Sequence, residues 1–192
     1  SYHGYAVNIE NYLEKGLAIF KKNAPLFLIY TALYFLLLPV GGFIVNGPLM
    51  AGFFLFAHRL DKKKEVIFEN FFDGFRYFLP LFLFTIVSGL IVSLGYLAFI
   101  LPGIYLMIAY IFAPFLIIWG KKDFWEAMEM SRKIITREWF SIFGLILILI
   151  VVNLLGALAF GVGMLFSIPI SYCALYAAFD DIVGADDKVN IQ

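Results

Sequence analysis

Polar and apolar positions in this chain alternate in long blocks rather than residue by residue. No side chain charged at neutral pH lies between Lys22 and His58, between Arg76 and Lys121, or between Glu138 and Asp180. Each block is about 35 to 44 residues long, whereas one membrane crossing takes roughly 20 residues at 1.5 Å each. The lengths therefore predict a helical hairpin per block. The fold expected is an all-α polytopic membrane protein, with six transmembrane helices as three tandem hairpins and all charged segments on one side.

Helix breakers recur in each block. Pro39 with Gly41-Gly42, Pro102-Gly103, and Gly161 with Gly163 stand near the block centres, where a chain that has crossed once must turn. A second set, Asn46-Gly47-Pro48, Ala113-Pro114 and Ile168-Pro169, falls in the returning half of each block. Mixed basic and aromatic lead-ins precede the hairpins: FKKNAPLFLIY at 20–30, FRYFLPLFLFT at 75–85 and TREWFSIFGLI at 136–146. Residues 1–192 are thus expected to form a single membrane domain of three tandem units, about 8–60, 61–120 and 121–184, with a polar C-terminal tail at 185–192.

The charged segments are themselves patterned. In EVIFENFFDGFRYF (65–78), Phe68, Phe71, Phe72 and Phe75 follow helical spacing among acidic and basic positions. In DFWEAMEMSRKIITREW (123–139), Asp123 is placed to cap a helix with Glu126 at its third position, and Trp125, Met128, Ile135 and Trp139 fall on one side. Amphipathic helices are expected before each hairpin, lying on the membrane surface or packing their apolar faces against the spanning helices, or both. Phe68, Phe71, Phe72, Phe75, Trp125 and Trp139 are the candidate contacts to lipid or to a partner.

Composition agrees with a bilayer. The chain is 63% hydrophobic and 19% aromatic with mean hydropathy +0.93, more than a water-soluble core of 192 residues could hide. Lys plus Arg equals Asp plus Glu at 14 each, so no net charge points to nucleic acid. Every Lys and Arg lies outside the three blocks, and the positive-inside rule places those segments and both termini in the cytoplasm. Residues 1–22 carry Glu10, Glu14, Lys15, Lys21 and Lys22 without a continuous apolar run, so no signal peptide is expected there. The one cysteine, Cys173, permits no intrachain disulfide.

Catalytic, cofactor and metal motifs are absent: there is no Walker-type loop, GxSxG or HExxH, and only His3 and His58 offer imidazoles. Asp180-Asp181 is the one suggestive acidic pair, able in principle to hold a cation and a headgroup phosphate, but it reads more simply as a helix end. No ionisable acid or base lies deep in a block, which weighs against a coupled transporter. Asn153 and the serines and threonines of the blocks are explained by interhelical hydrogen bonds.

The stretch LPGIYLMIAYIFAP (101–114), followed by EAMEMSRKIITREWFSIFGL (126–145), resembles small polytopic bacterial integral membrane proteins of uncharacterised function. It is also similar to the membrane domain attached to some glycerophosphodiester phosphodiesterases. The resemblance implies a structural scaffold in a bacterial inner membrane and carries over no functional residue. The leading functional expectation is a non-enzymatic accessory or scaffold subunit of an inner-membrane complex, in contact with membrane lipids and other integral membrane proteins and needing no cofactor. The alternative is a lipid-handling or small-solute protein that uses a groove between helical repeats. A third reading is a headgroup-directed enzyme acting at Asp180 and Asp181.

Overall fold

A computed structural model describes residues 6–159 and 161–185; His3 and the tail beyond Ala185 lie outside them. Among the described residues every regular element is helical: α1 (Ile9–Lys22), α2 (Ala24–Asp61), a 3₁₀ helix (Phe68–Tyr77), α3 (Phe78–Ala98), α4 (Ile100–Ala109), α5 (Ala113–Ile118), α6 (Phe124–Thr136), α7 (Trp139–Leu158) and α8 (Met164–Ile182). Four stretches are long and apolar enough to cross a bilayer: Phe68–Ala98, Ile100–Ile118, Trp139–Leu158 and Met164–Ile182. A fifth is added if α1 and Ala24–Pro39, which meet at 96°, make one broken span. Leu90, Leu94 and Leu97 on α3 and Ile150, Leu154 and Leu158 on α7 point outward, as hydrocarbon surroundings require. This is a membrane-embedded helical protein.

The block lengths predict six crossings, and the difference lies in the first block. Its helix α2 is not one rod, because Gly41 (φ −151°, ψ 22°) leaves the helical region. The two arms fold back on each other: Tyr30 donates to the Leu49 carbonyl at 2.8 Å, Tyr34 donates to Asn46 Oδ1 at 2.7 Å, and the rings of Phe27 and Phe56 stand 5.1 Å apart. In a straight helix residues 27 and 56 would be about 44 Å apart. The first arm, Ala24–Pro39, is about 24 Å long, short of a full hydrocarbon core. Pro39 stands two residues before the break, and Pro48 lies within the second arm without ending it.

The bend of the second block is not at Pro102-Gly103. The chain turns at Phe99 (φ −164°, ψ 150°), and Pro102 is the third residue of α4, where a missing N–H leaves no helical bond unmade. Gly103 serves close packing instead: a Cβ there would meet the Tyr96 ring at 2.5 Å, and its backbone lies against Gly95. Pro114 opens α5 after a break at residues 110–112. In the third block the turn between α7 and α8 holds Gly161 at φ +74°, a left-handed conformation that glycine adopts without steric cost. Pro169 sits inside α8.

Each charged segment docks on a returning arm. The segment 68–77 is 3₁₀ rather than α-helical, so residues three apart align. Phe68, Phe71 and Gly74 share a row, and Phe72 and Phe75 occupy another. Phe71 is fully buried, stacked between Phe56 (3.8 Å) and Tyr30 (4.0 Å). Gly74 rests on the Pro48 carbonyl, and Gly52 on the Phe71 carbonyl. Arg59 pairs with Asp73 at 2.9 Å. In the same way α6 docks on α5. Its Ser131, fully buried, donates to the Ala109 carbonyl at 2.7 Å and accepts from the Phe112 N–H at 3.1 Å, filling the break between α4 and α5. Finally, α1 docks on α8, with Gly16 against the Ala174 backbone.

Candidate functional site

The residues singled out in the charged segments part company. Phe71 is core, not a lipid or partner contact, because the 3₁₀ period turns it onto α2. Phe72 and Phe75 remain exposed and Phe68 is half-buried against the core. Asp123 caps α6 by accepting from the N–H groups of Trp125 and Glu126, while Lys122 holds the Glu126 side chain at 2.6 Å. Met128 and Ile135 are buried but Trp125 is 53% exposed, so these three do not share a face. Trp139 opens α7, stacked on Phe143 (5.2 Å) and Tyr105 (6.2 Å). Its neighbour Phe140, not singled out in the sequence, is 83% exposed.

Asp180 and Asp181 are not a bare acidic pair at a helix end. Lys15 of α1 bridges Asp180 (2.8 Å) and Asp61 at the end of α2 (3.3 Å). Tyr12 donates to Asp181 at 2.6 Å, and Tyr176 joins Asp61 (3.2 Å) to His58 Nδ1 (3.2 Å). Burial works against the Lys15 charge, but the hydrogen bond and field of Asp180, with Asp61, more than offset it and hold the ammonium above its ordinary value. The cluster ties α1, α2 and α8 together and leaves the aspartates engaged. Among the described residues no group of three His, Cys, Asp or Glu side chains is placed to hold a metal ion, and the Cys173 thiol is buried.

Replacing Lys15 by Ala leaves Asp61 and Asp180 facing each other. Since the lysine is about one-third exposed, the expected loss is about 1–2 kcal/mol, well below that for a sealed pair. Unfolding in detergent at low and high salt checks this: the loss should shrink as salt rises, and a salt-independent loss would assign it to packing instead.

The opposite half of the bundle holds open space. A groove of about 640 Å³ runs between the first arm of α2, α7 and α8. Leu149, Leu154, Ile168 and Leu175 contribute apolar wall, and Tyr34, Asn153, Ser171 and Tyr172 a polar strip. Asn153 donates to Ser171 Oγ (2.7 Å) and accepts from Ser167 (2.9 Å), which fixes α7 to α8. The Tyr34 hydroxyl lies 3.5 Å from that of Tyr172. A second space of about 340 Å³ lies between the other arm of α2, α3, α4 and α5, with Thr85, Tyr110 and Pro114 in its wall. Tyr34 and Asn46, hydrogen-bonded to each other, line one groove each.

Among Pro39, Pro48, Pro102, Gly103, Pro114 and Pro169, Pro114 alone lines one of these two grooves, and Asn46, next to the Gly47-Pro48 breaker, lines the same one. The groove-lining residues went unrecognised because Tyr34 and Tyr172 carry no motif. The available signal was the polar spacing Asn153, Ser167 and Ser171 on paired helices. No protein-family model, no curated protein and no solved structure matches this chain.

Proposed function

We propose that this chain is a non-enzymatic membrane protein that seats the hydrocarbon chain of a lipid between helical units. The observation that carries the reading is the 640 Å³ groove, within the roughly 300–1,000 Å³ of small-molecule sites, apolar with a short hydrogen-bonding strip and formed where two units meet. The engagement of Asp180 and Asp181 by Lys15 and Tyr12 disfavours a headgroup-directed enzyme acting there. The test is a photoreactive fatty acid incorporated into membranes that contain the full chain. Labelling should concentrate on Leu149, Asn153 and Ile168; labelling spread evenly over the outward faces of α3 and α7 would sink the reading.

The architecture behind it is three tandem units making six crossings, with the charged segments in the cytoplasm of a bacterial inner membrane. Two regularities support this. Every returning arm is followed by a left-handed residue, Lys63, Lys121 and Gly184. Every amphipathic segment ahead of a hairpin also rests on a returning arm: the 3₁₀ helix on α2, α6 on α5, and α1 on α8, which closes the series into a ring. A cysteine at Val162 should then react with an impermeant thiol reagent applied outside intact cells, and one at Lys64 only after permeabilisation. The reverse pattern would invert the orientation, and equal reaction at both sites would remove the hairpins.

An accessory-subunit role is the second reading, favoured by exposed aromatics at the charged segments: Phe72, Phe75, Trp125 and Phe140. Mild extraction should then recover the chain with larger membrane proteins, and replacing these four by Ser should release it.

A further inference from the structure

The groove between α2, α7 and α8 also constrains the headgroup of its occupant, an inference that rests on the lipid-binding reading above. No charged side chain lines the groove. Its polar strip is displaced toward the end of the bundle where the chain bends: Asn153 lies five residues before the end of α7, and Ser167 and Ser171 fall in the first half of α8, about 5–10 Å along each helix. Among the described residues every Lys and Arg lies in α1, at the end of α2 or in the segments 62–77 and 121–137, and the bends carry none.

A phosphate anchored at the level of this strip would find no cation, and an anion taken from water without a partner is strongly disfavoured. A hydroxyl or ester carbonyl needs only donors and acceptors. The Tyr172 hydroxyl supplies both. Its one hydrogen-bond contact among the described residues is the long 3.5 Å approach to Tyr34. Leu154, 59% exposed, and Ile150, 51% exposed, stand at the rim, so the opening faces the hydrocarbon and a chain enters sideways from the bilayer.

We propose that the groove selects a neutral long-chain lipid of the diacylglycerol type, with its acyl chain along Leu149, Ile168 and Leu175 and its free hydroxyl at the Tyr172 hydroxyl and at Asn153 Oδ1, the Asn153 N–H groups being taken by the Leu149 carbonyl and Ser171. The polar end is recognised by hydrogen bonds alone, and phospholipids of the same chain length are held less well for want of a cation.

The test uses the purified full chain in mild detergent, offered 1,2-dioleoylglycerol or dioleoylphosphatidylglycerol and read by native mass spectrometry. Two variants accompany it. Ala157→Phe fills the groove from an exposed position, and Tyr172→Phe removes one hydroxyl while keeping the ring stacked on Phe53 at 4.7 Å; thermal unfolding confirms that both fold. The expected result is tighter retention of dioleoylglycerol than of the phospholipid, a loss of about tenfold with Ala157→Phe, and a loss of about fivefold with Tyr172→Phe for dioleoylglycerol alone. If both lipids bind equally, or the phospholipid better, with Ala157→Phe removing both, the neutral-headgroup selection is overturned and the groove reading survives. If Ala157→Phe changes neither, both fall.

Discussion

Gly52→Ala is expected to detach the 3₁₀ helix from the second arm of α2 and to destabilise the protein by about 3 kcal/mol, the upper end for overpacking. A Cβ at residue 52 would overlap the Phe71 carbonyl and come within 2.6 Å of the Tyr30 hydroxyl. Neither neighbour is the loose end of a flexible side chain. The carbonyl belongs to the backbone of the docked segment, and Tyr30 is fixed by its bond to the Leu49 carbonyl. Relief requires the segment to back away, which unstacks Phe71 from Phe56 and Tyr30. Thermal unfolding in detergent should show the loss, and proteolysis should become faster at the linker 62–67. Gly89→Ala is the control, since nothing lies within 4 Å of a Cβ there and alanine is the better helix former by about 1 kcal/mol. Equal behaviour of the two variants would show that the Gly52 contact does not hold the segment.

Ser131→Ala comes next in size. Removing one hydroxyl leaves the Phe112 N–H and the Ala109 carbonyl without their partner in a fully buried place. At about 1–3 kcal/mol per orphaned group, the expected cost is about 3 kcal/mol after partial relaxation. The break between α4 and α5 is the cause. In the turn at 110–112 the Ala113 N–H goes to the Tyr110 carbonyl and the Ile111 N–H to the Ile108 carbonyl, so the helix leaves these groups unmatched, and a side chain from α6 serves them. Amide exchange distinguishes this from general loosening: residues 110–113 should exchange faster while α7 and α8 keep their protection. Unchanged exchange there would mean that the hydroxyl is replaceable by water.

The arrangement of charge-free blocks, with a break in each, was legible because hydrophobic runs and helix breakers are local signals. What escaped was set by tertiary contact. Proline marks where a helix is weakened, not where the chain turns, so Pro102 falls in the first turn of α4 and the bend lies at Phe99. The phenylalanines of 68–77 fit an α-helical stripe equally well on paper. Only the close approach of Gly52 and Gly74 imposes the 3₁₀ period that buries Phe71 and exposes Phe72. Lys15 and Asp180 are 165 positions apart, and no local pattern announces such a pair. The groove is harder still, since a gap between helices depends on how three of them diverge.

The docking of α1 on α8 has a consequence in time. The 3₁₀ helix and α6 each meet a surface that has just been synthesised, so they can settle as they emerge. For α1 the receiving helix, Met164–Ile182, comes about 140 residues later. At about 5–20 residues per second, Tyr12, Ile19 and Phe20, all buried in the finished protein, wait on the order of 10–30 s for α8. Over that interval α1 has α2, through Phe20 against Phe27 at 5.7 Å and Lys15 at Asp61, and the membrane surface to rest on, which suits its amphipathic sequence. Among the described helices, α1 is made well before the helix that receives it and reaches its final place only after α8.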